Sequence, residues 1–399
     1  METSKPSSLQ LKPHPHLVWI NSGSLEKLDA ATWLITTQEL RALGWRVTLI
    51  ASGDPEQTKF HGVELTQIPR PEIFLWRHVV FHYRVIKKIL QEITAIDIIL
   101  FHEISAPWLL FFLAFLRLIG KKQPYFVMDT RTLPMEPEDN STWKDKLRSV
   151  FSYLMNTLGN RCFDGRTVIT PRMAEVLLIP GKKLWGIWPS GVRLEDFSTI
   201  PSRRVWPKED EPIQLLYIGC MHHERNLLIL AKAVTQANTD GNNFILSIVG
   251  DGNARTDLEN YARGCGGSIK IFPPVPYKEV PNWLAQAHVG MLPFPDEEKF
   301  RVSSAIKLFE YMASGLPVLA TRIESHTNVI GNGNFAFWAD SADIQGLYKA
   351  LLKIQADRVE LPKMGFQASQ SASVWTWQSS ANKLKIALEH GLKRKHLHE

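Results

Sequence analysis

The chain has 399 residues, 44% hydrophobic and 22% charged, with a formal net charge of +6; these values describe a folded chain of about two domains and exclude a disordered or fibrous one. Residues 1–200 hold 24 Lys and Arg against 20 Asp and Glu, and the rest 22 against 20, so the mild basicity favours anionic partners in general and is not concentrated enough to mark nucleic acid. Three widely separated cysteines, Cys162, Cys220 and Cys265, lack any metal-ligand spacing; their odd number and spacing argue against a disulfide framework and fit a reducing cytoplasm.

The first stretch, METSKPSSLQLKPHPH, has no apolar core of the kind a secretory signal needs. HLVWI, the loop Asn21-Ser22-Gly23-Ser24, a helical pattern and RVTLIAS then read as strand, loop, helix, strand, the signature of a parallel sheet. Gly23 would lie where free backbone N–H groups at a helix start suit an anion. Further strands are expected at IDIILFHEIS, PYFVMDTRTLP, RTVIT and KLWGIWPSGV, with helices at about 72–92, 107–119 and 141–160. ISAPWLLFFLAFL, at 13 residues, falls short of the roughly 20 that span a bilayer.

Residues 193–210 lose periodicity and gain Pro, Ser and charge, so they read as a linker after a first domain over 1–192. The rhythm restarts with the strands IQLLYIG, FILSIVGDG, SIKIFPPV, VGMLPF and PVLAT, separated by helices, in a second domain over 211–370. The tail over 371–399 reads as an amphipathic helix with a basic end. The expected fold is α/β, two doubly wound Rossmann-like domains facing a cleft.

In SSAIKLFEYMASGLPVLAT, a helical wheel puts Leu308, Phe309, Met312 and Ala313 on one side and Lys307, Glu310, Tyr311 and Ser314 on the other. Gly315 suits a left-handed helix end and Pro317 a stop. The polar side is either a solvated Lys–Glu face or a ligand seat. In the second case Ser303 and Ser304 cap the helix, Lys307 meets a diphosphate, and the Glu310 carboxylate accepts hydrogen bonds from a ribose diol.

The order YIG…ERNL, VGDG, PPVPYKEVPNWLAQAHVGMLPF and KLFEYMASGLPVLAT resembles the second domain of glycosyltransferase family 4, which has the GT-B fold and uses nucleotide sugars. GIWPSGVRLEDF resembles that family's hinge segment, with Ser190 in place of the usual Asn. The tail is similar to the family's C-terminal helix that crosses back to the first domain. The resemblance covers about 186–390 well and the earlier half only in rhythm.

It implies that Glu310 binds the donor ribose and that Arg225, preceded by Glu224, contacts the donor diphosphate. Gly219, Gly250 and Gly252 match turns near the nucleotide, the last two being equally readable as a plain tight turn. The family's earlier glutamate is Val302 here, and its arginine after the strand-end glycine is Cys220, so Lys307 or Arg301 is expected to supply the missing charge. The family's histidine near the transferred sugar falls on Arg131, two residues after Asp129. His102, followed by Glu103, is the other candidate for a catalytic group. Each pair is also readable as structural hydrogen bonding or ion pairing. The resemblance further implies retention of anomeric configuration, no metal and no cofactor.

RPEIFLWRHVVFHYRVIKKIL interleaves Phe74, Trp76, Phe81 and Tyr83 with Arg70, Arg77, Arg84, Lys87 and Lys88, and PWLLFFLAFLRLIGKK ends in a basic pair. These are either ordinary sheet-covering helices or a peripheral surface for anionic lipid. The partners expected are a nucleotide sugar, a glycan or lipid-linked acceptor and an anionic membrane surface, with no nucleic acid, at the inner face of the membrane in the cytoplasm. Two rivals stand beside the transferase: a nucleotide-sugar epimerase, and a catalytically silent nucleotide-sugar-binding partner of an assembly complex.

Overall fold

The computed structural model describes residues 14–24, 30–60, 63–69, 71, 73–120, 123–133 and 143–396. The chain divides into two compact units. One runs to Pro189 and takes in the segment from Trp377 onward; the other is Ser190–Thr376.

The first unit holds β1 (His16–Ser24), β2 (Arg46–Ser52), β3 (Lys59–Phe60), β4 (Val63–Ile68), β5 (Ile98–His102), β6 (Tyr125–Thr130), β7 (Gly165–Val168) and β8 (Leu184–Ile187). Their order in the sheet is β3-β4-β2-β1-β5-β6-β7-β8, parallel throughout except for the short β3–β4 pair. Both faces are covered, as the continuous apolar runs require. On one side the helices Phe74–Glu92, Ala106–Leu118 and Trp143–Cys162 contribute Phe81, Leu109 and Met155 to a core with Ile20, Phe101 and Met128. On the other, Ala30–Ala42 and Trp377–His396 pack Leu34, Leu384 and Leu388 against Leu17, Trp19, Leu100 and Trp188. The tail helix is thus an integral layer of this unit.

The second unit contains β9 (Ile213–Ile218), β10 (Phe244–Val249), β11 (Ile269–Phe272), β12 (Val289–Leu292), β13 (Val318–Thr321) and β14 (Ala336–Ala339). Their order β11-β10-β9-β12-β13-β14 is parallel and reverses direction between β9 and β12. Ligands of such sheets bind beyond the carboxyl ends of the strands at that reversal. No helix among the described residues is long and apolar enough to cross a membrane.

The stretch 193–210 is not a free linker. Phe197 and Ile200 are fully buried in the second unit's core, and the Arg204 guanidinium donates to the carbonyls of Gly315 and, at 2.8 Å, Leu284. Arg358 likewise donates to the carbonyls of Glu209 and Glu211. Polar composition reads as a linker, yet these arginines and backbone carbonyls satisfy one another against the domain. The return to the first unit falls at Trp377, a few residues after the expected 371.

Candidate functional site

Three segments of the second unit meet at the strand ends. Leaving β9, the chain reaches Gly219 and Cys220. The Gly219 N–H donates to Val249 at 2.8 Å and the Met221 N–H to Asp251 at 2.8 Å, so the loops after β9 and β10 lie backbone to backbone. Gly219 has φ of 140° and Gly250 of 149°. A Cβ at Gly250 would sit 1.9 Å from the Gly219 carbonyl oxygen, and one at Gly219 would sit 2.1 Å from Lys307 Cε. The absence of a side chain at Gly219 is what lets the Lys307 stem lie across the end of β9, and its absence at Gly250 lets the two loops touch. Gly252 does the same against the Met221 carbonyl, which a Cβ would approach to 2.4 Å.

The helix Ile306–Ala313 supplies Lys307 and Glu310. Its far side is not solvated. Tyr311 and Ser314 are fully buried, with the Tyr311 ring laid on Gly290 of β12, where any Cβ would stand 2.4 Å away. Tyr311 Oη accepts from the Ile218 N–H at 3.3 Å. Gly315 takes a φ of 66° at the helix end, the left-handed turn expected there. The expected serine caps do not form. The N-cap is Ala305 without a side-chain bond, because Ser304 Oγ accepts from the Ser190 N–H at 3.1 Å and Ser303 Oγ donates to the Phe300 carbonyl at 2.8 Å.

Arg225 enters from the short turn His223–Arg225. Its guanidinium carbon lies 5.0 Å from the Phe294 ring centre and 5.1 Å from that of Phe300. Lys307 Nζ lies 5.6 Å from the Tyr217 ring centre. Arg225, Cys220 and Glu310 all act electrostatically on Lys307. Among the described residues, no hydrogen bond or ion pair within 4 Å joins Lys307, Glu310 or the Arg225 side chain to a protein partner, and Arg225 Nε is buried without an acceptor.

Electrostatics follow from that enclosure. Burial pushes the Glu310 carboxyl up to about 7, partly offset by Lys307, while Asp196 pushes it further up. Burial and the Arg225 charge lower Lys307. Two half-buried cations and a buried carboxylate are therefore held together with their hydrogen-bonding capacity unspent, an arrangement that an anion bearing hydroxyl groups would complete. Asp196 and Tyr277 border Glu310: burial raises both, and Glu310 adds to the rise at Tyr277. Neither stood out in the sequence, since an acid in a hinge segment and a tyrosine in a loop carry no spacing signal.

The other expected residues divide. Glu224 is half-exposed beside Arg225. Arg301 does not supply the missing charge freely: Asp296 holds it at 2.7 Å and Glu298 at 3.6 Å. Val302 is fully buried and Cys220 is exposed.

In the first unit Asp129, at the end of β6, accepts from Trp188 Nε1 at 2.8 Å and from Thr167 Oγ1 at 2.6 Å. The Arg131 guanidinium stacks 3.7 Å from the Trp188 ring centre and donates to the Trp188 carbonyl at 3.3 Å; burial lowers it to about 10. Together they hold Trp188. Glu103 accepts from Ser152 Oγ at 2.8 Å and Asn156 Nδ2 at 3.0 Å, and its neighbour His102 ends β5 half-buried. Gly23 lies in β1, not in a loop, where pairing with β2 slips between Asn21 and Ser24; its N–H donates to Asn21 Oδ1 at 2.9 Å. The helix start expected beside it falls partly outside the described residues, as do Arg70 and the basic pair Lys121 and Lys122. Among the described residues no cluster of three or more His, Cys, Asp or Glu is placed to hold a metal ion.

The architecture is that of GT-B glycosyltransferases. The chain superposes on sucrose-phosphate synthase of Thermosynechococcus elongatus with a TM-score of 0.68 at 15% identity, over 96% of this chain and 99% of that one. It superposes on Anabaena HepE in complex with UDP-glucose with a TM-score of 0.68 at 13% identity, again over 96% and 99%. Within that fold, residues 212–357, which lie in the second unit, match the family Glycosyl transferases group 1. A D-inositol 3-phosphate glycosyltransferase of Pseudarthrobacter chlorophenolicus is 26% identical over 209 residues, 49% of this chain and 47% of that protein. The chain spans between about a quarter and a half of the length of the curated relatives it matches.

Proposed function

We propose that the protein is a nucleotide-sugar-dependent glycosyltransferase, moving a sugar with retention of configuration onto a glycan or lipid-linked acceptor, in the building of cell-surface polysaccharide or glycolipid. The observation that carries this reading is the trio Arg225, Lys307 and Glu310, three charged side chains that, among the described residues, make no hydrogen bond or close ion pair with the protein in a stretch that matches a glycosyltransferase family. The printed complex of Anabaena HepE with UDP-glucose supports a nucleotide sugar as the ligand.

Breaking the donor's glycosidic bond leaves positive charge on the sugar ring and negative charge on the departing diphosphate. Arg225 and Lys307 would stabilise that negative charge where it grows, at roughly 2–4 kcal/mol for each well-placed donor. Glu310 would fix the ribose through its diol. The acceptor hydroxyl can then attack from the face the leaving group vacates, passing its proton to a diphosphate oxygen, so no protein nucleophile is required.

Arg225→Ala and Glu310→Ala should each weaken UDP binding about tenfold or more, read by calorimetric titration with folding checked separately. Unchanged binding in both variants removes the nucleotide assignment. Because Glu310 accepts from both hydroxyls of the diol at once only as a carboxylate, UDP should bind more tightly as pH rises through about 7, and Glu310→Gln should flatten that rise. Donor incubated alone must yield no epimer.

A further inference from the structure

The helices Phe74–Glu92, Ala106–Leu118 and Trp143–Cys162 cover one face of the first unit's sheet and feed a single core. A sheet-covering helix normally shows an apolar stripe inward and polar side chains outward. All three depart from that, Phe74–Glu92 by exposing Trp76 and Tyr83, and the other two more extensively. In Ala106–Leu118 the residues Phe111, Phe115 and Leu118, spaced i, i+4, i+7, are exposed, Leu118 by 86%. In Trp143–Cys162 the residues Trp143, Leu147, Val150 and Leu154 continue the same spacing and are all exposed, although Met155, about a third of a turn round the helix, is buried in the core. The two helices pack on each other, and Ser152 and Asn156 of one grip Glu103 in the turn leading into the other. An outer apolar surface is therefore shared by neighbouring helices of one layer.

Charge narrows what such a surface meets. The three helices contain nine Lys and Arg against two acidic residues, with Arg84, Lys87, Arg117, Lys144, Lys146 and Arg148 exposed. A second copy of the chain would bring cations against cations with almost no acids to pair them. Nucleic acid would match the charge but leaves Leu118, Leu147, Val150 and Leu154 without a role, since stacking on bases needs aromatic faces. An anionic bilayer surface answers both features: short apolar side chains enter the acyl boundary while lysines and arginines meet the headgroups.

We propose that this helical layer docks the first unit onto membranes rich in anionic phospholipid. The proposal deepens the reading of a lipid-linked acceptor given above, and rests on that reading only for its purpose. The surface belongs to the unit that does not hold the donor trio.

The test uses the full chain, sedimented with vesicles of phosphatidylcholine alone or mixed equally with phosphatidylglycerol, at low and high salt. UDP-induced thermal stabilisation is measured in parallel. Binding is expected only with phosphatidylglycerol present, falling as salt rises. Phe111→Ser combined with Leu147→Ser should lower the partition coefficient about tenfold or more, and Lys146→Glu combined with Arg148→Glu should lower it and flatten the salt dependence; both should keep the UDP response. Lack of sedimentation at low salt overturns the proposal. So does a soluble dimer that the Phe111/Leu147 variant dissociates, or preferential capture of single-stranded RNA. Loss of the UDP response with vesicle binding intact would sink the donor reading and leave this one standing.

Discussion

Glu310 shows how a single side chain ties function to stability. Its carboxyl is only 9% exposed, and burial raises it from an ordinary 4.5 to about 7. Between those values the native state holds a proton that the unfolded chain has released, so stability falls as pH rises through that window. Ligand-free Glu310→Gln should therefore melt higher than the parent at pH 8, by an amount corresponding to a few kcal/mol at most, and match it near pH 4. A parent that melts no lower than the variant at pH 8 would show that the ionised carboxylate is not penalised. Gly219 is the complementary case. A methyl group there collides with the Lys307 stem, so Gly219→Ala should displace Lys307 and weaken UDP binding about tenfold while leaving the second unit folded. Glu310 and Arg225 stand out in the sequence because a short motif carries each, and the structure brings both within electrostatic reach of Lys307. Arg301, expected as one of two sources of the missing charge, lies beside Asp296 and Glu298, and no sequence says which of several nearby acids a guanidinium will meet.

At the scale of elements, parallel strands buried on both faces announced themselves as apolar runs, and β2, β5, β6, β9, β10 and β13 lie where those runs are. Strands without that signature did not. β4 reads VELTQI, alternating like a half-solvated strand, and β14 is four residues long. The helical wheel of Ile306–Ala313 put Tyr311 and Ser314 on the polar side with Lys307 and Glu310, yet both are fully buried, because Gly290 opens room for Tyr311 beneath the helix. The same helix ends at Gly315, whose carbonyl is held by Arg204. Arg204→Ala would strand the buried carbonyls of Gly315 and Leu284 and should destabilise the second unit by about 2–4 kcal/mol, measured by urea unfolding. Arg204→Lys should restore only part, because an ammonium lacks the planar fork that reaches both acceptors.

For the whole molecule, the two units differ in how continuous their chains are. The second is one uninterrupted stretch, while the first is completed by Trp377–His396. Leu388 is fully buried in the first unit, so Leu388→Ala should lower that unit's calorimetric transition by about 2–5 kcal/mol and leave the other in place. The sequence foretold a tail helix but took the stretch 193–210 for a spacer, because composition records polarity and not whether Phe197 and Ile200 find a core. The split chain also sets a timetable during synthesis. The nascent second unit can close as soon as its own residues clear the ribosome. The first, begun earlier, waits with that face of its sheet covered by Ala30–Ala42 alone, and Leu100 and Trp188 short of their partners Leu384 and Leu388, until the helix Trp377–His396 emerges.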